Sequence, residues 1–258
     1  MPTVIFAALR RGLALAGLFA AGSSFAAEPV SGPVTIDVPL SQIGSYSRAA
    51  FNRTPTECDR LAAHYDDPER VGEGVSRAGM DKPAAIEACR SAVADDPENP
   101  RLRYQLGRAY GYSGRHAEAM PHREAALRAG YPQSLFVMGY IRTTGWDGAP
   151  PDPCYGGELI LRSARLGRMA GLVGFPHYAL LGFFDDCDSY PRYTQGDLLE
   201  LLDRAEAATS NFYKTALIEQ LRRGVVSDAQ RTLPPKTSAA AVSGFPPSAE
   251  TRPPVGQN

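Results

Sequence analysis

The chain has almost no excess of charge of either sign. Its 27 Lys and Arg residues are balanced by 28 Asp and Glu residues, which gives a formal net charge of -1. Proteins that bind nucleic acids through their overall charge carry a clear positive excess. The overall charge therefore gives no reason to expect a nucleic-acid partner.

The sequence also lacks the common signatures of catalysis and metal binding. None of its four histidines lies three or four residues from another, the spacing that places two metal ligands on one helical face. The nearest approach to a Gly-x-Ser-x-Gly nucleophile motif is Gly111-Tyr112-Ser113-Gly114, which is one residue too short. A phosphate-binding Gly-x-x-x-x-Gly-Lys motif does not occur. We therefore expect neither a cofactor nor a metal, and no enzymatic activity.

A long hydrophobic run is present only at the N-terminus, where two arginines precede apolar residues from Leu13 to about Ala21. The run is shorter than the roughly 20 apolar residues that a membrane span needs. Ser24-Phe25-Ala26 then places small residues at the two positions that signal peptidase reads. We interpret residues 1–26 as a secretory signal peptide, with an uncleaved signal anchor as the alternative. The mature protein is expected to have no membrane span and to be periplasmic or secreted.

Cysteines are few, and their spacing does not fit the common metal and redox motifs. The chain has four and no Cys-x-x-Cys, which argues against a zinc site or a thioredoxin-like site. In an oxidising compartment an even number of cysteines predicts disulfide bonds, with free thiols as the alternative. Three pairings are possible. We favour Cys58 with Cys89 and Cys154 with Cys187, because each bond would join a helix to one nearby.

Composition divides the rest of the chain into three parts. Residues 27–52 contain scattered Pro, Ser and Val, and we interpret them as a linker or a short edge strand. Residues 53–224 have helical apolar spacing and predict the folded domain, with Asp81 capping one helix and Gly224 ending the last. Residues 225–258 are rich in Pro, Ser and Ala. Such a tail buries too little apolar surface to offset the entropy of ordering, so we expect it to be disordered.

Two segments share a pattern of small residues. Leu106-Gly107, with Tyr110 three residues further on, is matched 32 residues later by Met138-Gly139. A glycine has no Cβ and lets two helices approach closely, and a single helix pair must then stack on a neighbour to bury its other face. Pro121 lies within the expected partner helix and predicts a kink or a late start there.

This pattern, over residues 99–170, resembles the tetratricopeptide repeat family and its Sel1-like relatives. The resemblance implies an all-α fold, a short α-solenoid of antiparallel helix pairs within residues 53–224. The long connection that contains Trp146 is similar to that of Sel1-like units. Arg123 departs from the family pattern, which prefers an aromatic residue at this place.

The resemblance also implies a binding surface, because the first helix of each pair faces an inner groove in that family. Aromatic residues and arginine anchor peptide contacts, and arginine holds carboxylates through two parallel hydrogen bonds. We expect the groove to bind an extended or helical segment that bears a carboxylate. The alternative is that its aromatic rings pack between repeats and its arginines are solvated. The implied partner-binding residues are Arg101, Tyr104, Arg108, Tyr112, Gln133, Phe136 and Tyr140.

These observations favour an exported repeat scaffold that binds a protein or peptide partner. One alternative is an envelope enzyme or enzyme accessory, which would require a deep polar cleft around His177, Asp185 or Asp188. The other alternative is a purely structural module that its tail tethers to a larger assembly.

Overall fold

The structure of the protein, a computed structural model, describes residues 38–146 and 149–228. Within these ranges the chain forms α-helices and two short 3-10 helices and no β-strand, which confirms the all-α class. The predicted signal peptide and most of the predicted disordered tail lie outside the described residues. The α-helices are α1 (Glu57–Ala62), α2 (Lys82–Asp95), α3 (Pro100–Tyr112), α4 (His116–Arg128), α5 (Pro132–Thr144), α6 (Pro153–Arg165), α7 (Met169–Leu180), α8 (Gln195–Ala207) and α9 (Phe212–Asp228).

Short polar residues begin several of these helices. Thr56 Oγ1 accepts a hydrogen bond from the backbone N–H of Asp59, and the Asp59 carboxylate accepts one from the backbone N–H of Thr56. Asp81 accepts a hydrogen bond from the N–H of Ala84, with Pro83 in the first turn of α2. These contacts satisfy backbone donors that have no partner inside a helix. The predicted cap at Asp81 is confirmed.

The expected helix end at Gly224 is wrong, and so is the late start that was one of two alternatives for Pro121. Gly224 does not end the last helix, since α9 continues to Asp228. A Cβ added at Gly224 would lie 3.0 Å from a Leu180 methyl group, so the glycine serves the close packing of α9 on α7. Pro121 does not delay α4, which begins at His116 and contains the proline with its ring exposed.

Two helix pairs are in close contact at glycines, as the sequence predicts, and we call these contacts, at Gly107 and Gly139, the glycine seams. A Cβ added at Gly107 on α3 would lie 3.0 Å from Cγ of Arg123 on α4. One added at Gly139 on α5 would lie 2.8 Å from the carbonyl oxygen of Gly156 on α6. Gly156 also faces Thr143, one turn after Gly139, while Gly139 faces Ile160, one turn after Gly156. The contacts thus run in opposite directions along α5 and α6, and the two helices are antiparallel.

Both disulfide bonds follow the favoured pairing. Cys58 is bonded to Cys89, which joins α1 to α2. Cys154 is bonded to Cys187, which joins the first turn of α6 to the loop after α7 rather than to a second helix. Two intact disulfide bonds indicate an oxidising compartment.

The segment 38–52 is not a free linker, nor a strand. We call it the N-terminal strap. The Val38 carbonyl accepts a hydrogen bond of 2.6 Å from the hydroxyl of Tyr155 on α6. The N–H of Gly44 donates to the carbonyl of Arg128 at the end of α4, at 2.8 Å. These contacts make the strap part of the folded domain, and its Val38 side chain is buried.

Apolar clusters follow one another along the helices. The first is centred on α1, α2 and α3, the next on α4, α5 and α6, and a third on α6, α7, α8 and α9. Apolar contacts thus continue from α1 to α9. No helix in the described ranges has both the length and the apolar character needed to cross a membrane.

Candidate functional site

α3 and α5 border a cavity of about 190 Å³ that brings together most of the predicted partner-binding residues. We call it the aromatic–arginine groove. Arg101 and Gln133 are not among its lining residues. The predicted residues that line it are Tyr104, Arg108, Tyr112, Phe136 and Tyr140.

A row of aromatic rings forms one side of the groove. The rings of Phe136 and Tyr140 are stacked with centroids 6.4 Å apart. Trp146 extends the row, with its ring centroid 6.2 Å from that of Tyr140. Trp146 follows the end of α5 and is 46% exposed, so the row continues to the surface. Sequence reasoning did not assign Trp146 to the site, although it is the only tryptophan in the chain.

Two guanidinium groups lie over the Tyr112 ring at the opposite side. The Arg108 guanidinium is 4.9 Å from the ring centroid and that of Arg77 is 5.2 Å away. Such cation–π contacts hold cations at an aromatic face without a carboxylate. Arg77 lies in the loop before α2 and is exposed. No periodicity or motif in the sequence connects this loop residue to α3.

Arg108 is buried and has a structural role as well. Its Nη1 donates to the carbonyls of Ala62 and Ala63 at 2.8 and 2.9 Å, and its Nη2 donates to that of Val75 at 2.7 Å. Among the described residues no carboxylate lies within ion-pair distance of this guanidinium, and its buried Nε has no hydrogen-bond partner. Its charge affects His64, whose pKa is lowered to about 4 by burial and next by Arg108. Arg108 is thus a buried cation at the groove wall, and the alternative of a solvated arginine does not hold for it.

Arg123 supplies a further cation at the place where the repeat family prefers an aromatic residue. It is buried and lines the groove from α4. Its guanidinium lies where a Cβ at Gly111 of α3 would stand, and its Cγ packs on Gly107. The two glycines therefore make room for a long cationic side chain between α3 and α4.

Arg101 was expected at the groove, and the structure shows it elsewhere. It is buried in an ion pair with Asp59 of α1, whose carboxylate also accepts a hydrogen bond of 2.9 Å from Gln105 Nε2. Its second terminal nitrogen donates to the carbonyl of Asn52 in the strap at 3.3 Å. Arg101 thus connects three chain segments and is not available to a partner.

Gln133 likewise lies behind the groove wall. Its Nε2 donates to the hydroxyl of Tyr104 at 3.1 Å, and its side-chain oxygen accepts a hydrogen bond from Arg168 Nε. The Arg168 guanidinium lies 5.3 Å from the centroid of Phe136. Burial lowers the pKa of Arg168. Gln133 therefore orients Tyr104, and Arg168 places another cation behind the aromatic row.

The residues proposed for an enzymatic cleft, His177, Asp185 and Asp188, do not line the groove. Three other depressions lie between α1 and α2, beside the groove around Ser113, and between the strap and α6. His177, Asp185 and Asp188 line none of these depressions, nor the groove. His177 instead lies against the Tyr178 ring, at 5.4 Å between centroids.

Comparisons with protein-family models, with curated proteins and with solved structures found no match to this chain. The resemblance to tetratricopeptide and Sel1-like repeats therefore depends on the motif residues of the two segments. Any function has to be inferred from the groove itself.

Proposed function

We propose that this chain is an exported helical scaffold that binds a protein or peptide partner through the aromatic–arginine groove. It needs no cofactor and catalyses no reaction on its partner. The two disulfide bonds support an oxidising compartment. A signal peptide over residues 1–26 would deliver the chain to the periplasm or to the outside of the cell.

A short α-solenoid of the tetratricopeptide and Sel1-like type is the architecture that best accounts for the helix pairing. α3 packs on α4, α5 packs on α6, and α6 continues the stack onto α7. Stacked pairs of this kind create an extended concave binding surface. This arrangement is supported by α3 and α5, the first helices of their pairs, because both line the groove.

One observation carries the proposal, the convergence of aromatic and guanidinium groups on a single preformed cavity. The volume of about 190 Å³ is smaller than the ~300–1,000 Å³ of sites for drug-sized ligands. The cavity therefore suits one large side chain of a peptide better than a whole small molecule. Aromatic anchors in such pockets contribute most of the binding energy in protein interfaces.

The charges around the cavity favour an acidic partner segment. Arg77 is exposed at the rim, and Arg108 and Arg123 line the wall. None of the lining residues of this cavity is Asp or Glu. A carboxylate next to the anchoring side chain would accept charge-assisted hydrogen bonds from the exposed rim.

Selection of peptides from a random displayed library, followed by affinity measurement on the selected sequence, tests the proposal. Tyr140→Ala removes the centre of the aromatic row and should weaken binding by roughly tenfold or more. Tyr213→Ala is the matched control, because the Tyr213 ring is 80% exposed on α9 and lies outside the groove. This control should bind the peptide like the unchanged protein.

A second pair of variants tests the charge preference. Arg77→Gln should weaken binding of acidic peptides and reduce its dependence on salt, whereas Arg223→Gln, an equal charge change on α9, should not. The proposal is wrong if the library yields no binder. It is also wrong if Tyr140→Ala retains native circular dichroism and binds the selected peptide at full affinity.

A further inference from the structure

A second site lies on a part of the molecule that shares no residue with the groove. It is an open depression of about 450 Å³ between the N-terminal strap, α6 and the loop after α7. The strap contributes Ser41, α6 contributes Arg162 and Arg165, and the loop contributes Ser189 and Arg192. Three arginines from two separate elements thus border one depression.

Two of these arginines are held in place by other groups. Arg162 Nε donates to a Glu158 carboxylate oxygen at 2.8 Å, and its Nη1 donates to the Leu40 carbonyl at 3.2 Å. Arg192 Nε donates to the Ser189 carbonyl at 3.0 Å. These contacts leave Nη2 of Arg162 and both terminal nitrogens of Arg192 without a hydrogen-bond partner among the described residues. The guanidinium groups of Arg162 and Arg192 are therefore oriented before a ligand binds, and each still has N–H donors without a partner.

The depression has more positive charge than its own carboxylate can neutralise. Glu158 is its sole acidic lining residue, and it is paired with Arg162. Within the described ranges the Arg165 guanidinium has neither a hydrogen bond nor an ion pair, although its charge is among the causes that lower the pKa of Asp197 on α8. The hydroxyls of Ser41 and Ser189 have no hydrogen bond within the described ranges. Apart from Glu158, the polar side chains around the depression can all donate hydrogen bonds.

Covalent and packing contacts hold the loop, α6 and the neighbouring α8 together. The Cys154–Cys187 disulfide bond joins the loop to the start of α6. Phe184 of the same loop packs on Gly157, where an added Cβ would lie 2.4 Å from its ring. The Arg165 carbonyl accepts a hydrogen bond of 3.0 Å from Arg204 on α8. The backbone positions of the three arginines are thus set before any ligand binds.

We propose that this depression binds the phosphate group of a ligand. A phosphate monoester carries a charge of about -1.5 to -2 and three acceptor oxygens, which matches three guanidinium groups offset by one carboxylate. A carboxylate has a single charge and would leave the site positive. Arginine is the side chain best suited to bidentate recognition of phosphate. The near-neutral charge of the whole chain does not oppose this, because the arginines act locally.

The phosphate can belong to a soluble molecule or to a lipid headgroup, and the test separates these sources. Isothermal titration calorimetry of the oxidised protein with glycerol 3-phosphate measures the soluble source, with sodium acetate as the carboxylate comparison. Co-sedimentation with phosphatidylcholine vesicles that contain phosphatidic acid measures the lipid source, with pure phosphatidylcholine vesicles as the blank. Binding of glycerol 3-phosphate or of the phosphatidic acid vesicles supports the site.

The double variant Arg165→Gln/Arg192→Gln should bind the phosphate probe about tenfold more weakly or worse. Arg60→Gln/Arg223→Gln is the control, since it makes the same charge change at exposed arginines outside the depression. The control should retain the unchanged affinity. Absence of binding to both phosphate probes, acetate binding as tight as that of glycerol 3-phosphate, or an equal loss in the control would each overturn the proposal.

Discussion

In the α3–α4 pair a Cβ added at Gly107 would lie 3.0 Å from Cγ of Arg123 and 3.2 Å from the Ala119 carbonyl oxygen. At Gly139 in the α5–α6 pair it would lie 2.8 Å from both the Gly156 carbonyl oxygen and Cγ1 of Ile160. The second seam has glycine on both helices, since Gly156 faces Gly139 and Thr143 at similarly short distances. The same position of the two segments thus lies at a close helix contact in the first pair and at a still closer one in the second. Similar sequence patterns therefore need not contribute equally to the free energy of unfolding.

Buried polar contacts join α3 to the segments that precede it. α3 is joined to α1 by the Arg101–Asp59 ion pair and to the chain around Ala63 and Val75 by Arg108. A buried ion pair is costly to break, because it leaves one charge desolvated without a partner. α3 is therefore anchored to the preceding segments by charge, whereas α5 and α6 are held by the close approach of two backbones.

Removing the buried charge should have the largest effect. Arg101→Met leaves the Asp59 carboxylate buried without its cation, and we expect the free energy of unfolding to fall by about 3–5 kcal/mol. Urea denaturation followed by circular dichroism measures the loss. Arg115→Met, which removes an exposed pair with Glu118, is the control and should change little. A loss at Arg101 no greater than in this control would contradict anchoring by charge.

The two glycine seams should respond unequally to the same substitution. Gly139→Ala forces backbone atoms apart and should lower the free energy of unfolding by about 2 kcal/mol. Gly107→Ala should cost less, about 1 kcal/mol, because its neighbours lie slightly further away, at 3.0–3.3 Å, and alanine is the better helix former. Urea denaturation of both variants gives the comparison. Equal losses would show that the seams are alike.

The smallest effect concerns pH at the junction of the two pairs, where Asp67 accepts a 2.7 Å hydrogen bond from Tyr131, the residue before α5. Burial raises the pKa of Asp67 from 3.8 to about 6, so the folded state holds this proton more tightly than the unfolded state. Its contribution to stability is therefore complete below pH 3.8 and is lost as the pH rises through about 6. His64 titrates over a similar range with the opposite sign, because its pKa is lowered to about 4.

Asp67→Asn keeps a hydrogen-bond acceptor for Tyr131 and cannot titrate. The stability of the unchanged protein relative to this variant should therefore decline between about pH 4 and pH 6. Taking the difference between the two proteins cancels the contribution of His64. Urea midpoints measured across this range give the trend, and a constant difference would argue against a raised Asp67 pKa.

Features that depend on neighbours in sequence were predictable. The cap at Asp81 and the all-α class follow from local residue patterns, and both are seen. The cysteine pairing was favoured because each bond joins cysteines that are near each other along the chain. Local patterns could not exclude the other two pairings. Gly224 was misread because a glycine inside a helix looks like a stop unless the side chain that packs against it, here Leu180, is known.

The site was only partly predictable. The resemblance to the repeat family implied Tyr104, Arg108 and Tyr112 as groove residues, and they line the groove together. The resemblance could not show that Arg101, on the same helix, pairs with Asp59 and is buried. Trp146 lies in a loop, where periodicity carries no information about which helix its ring will contact.

The sequence by itself determined where helices begin, where glycines allow close approach and how many disulfide bonds can form, because these depend on residue chemistry and short spacing. Only the tertiary structure decided which arginines are anchors and which remain available. Arg101 meets an acid 42 residues away, whereas the arginines beside the strap face an open depression. The reason is that burial and charge compensation are set by segments far apart in the chain, which folding alone brings into contact.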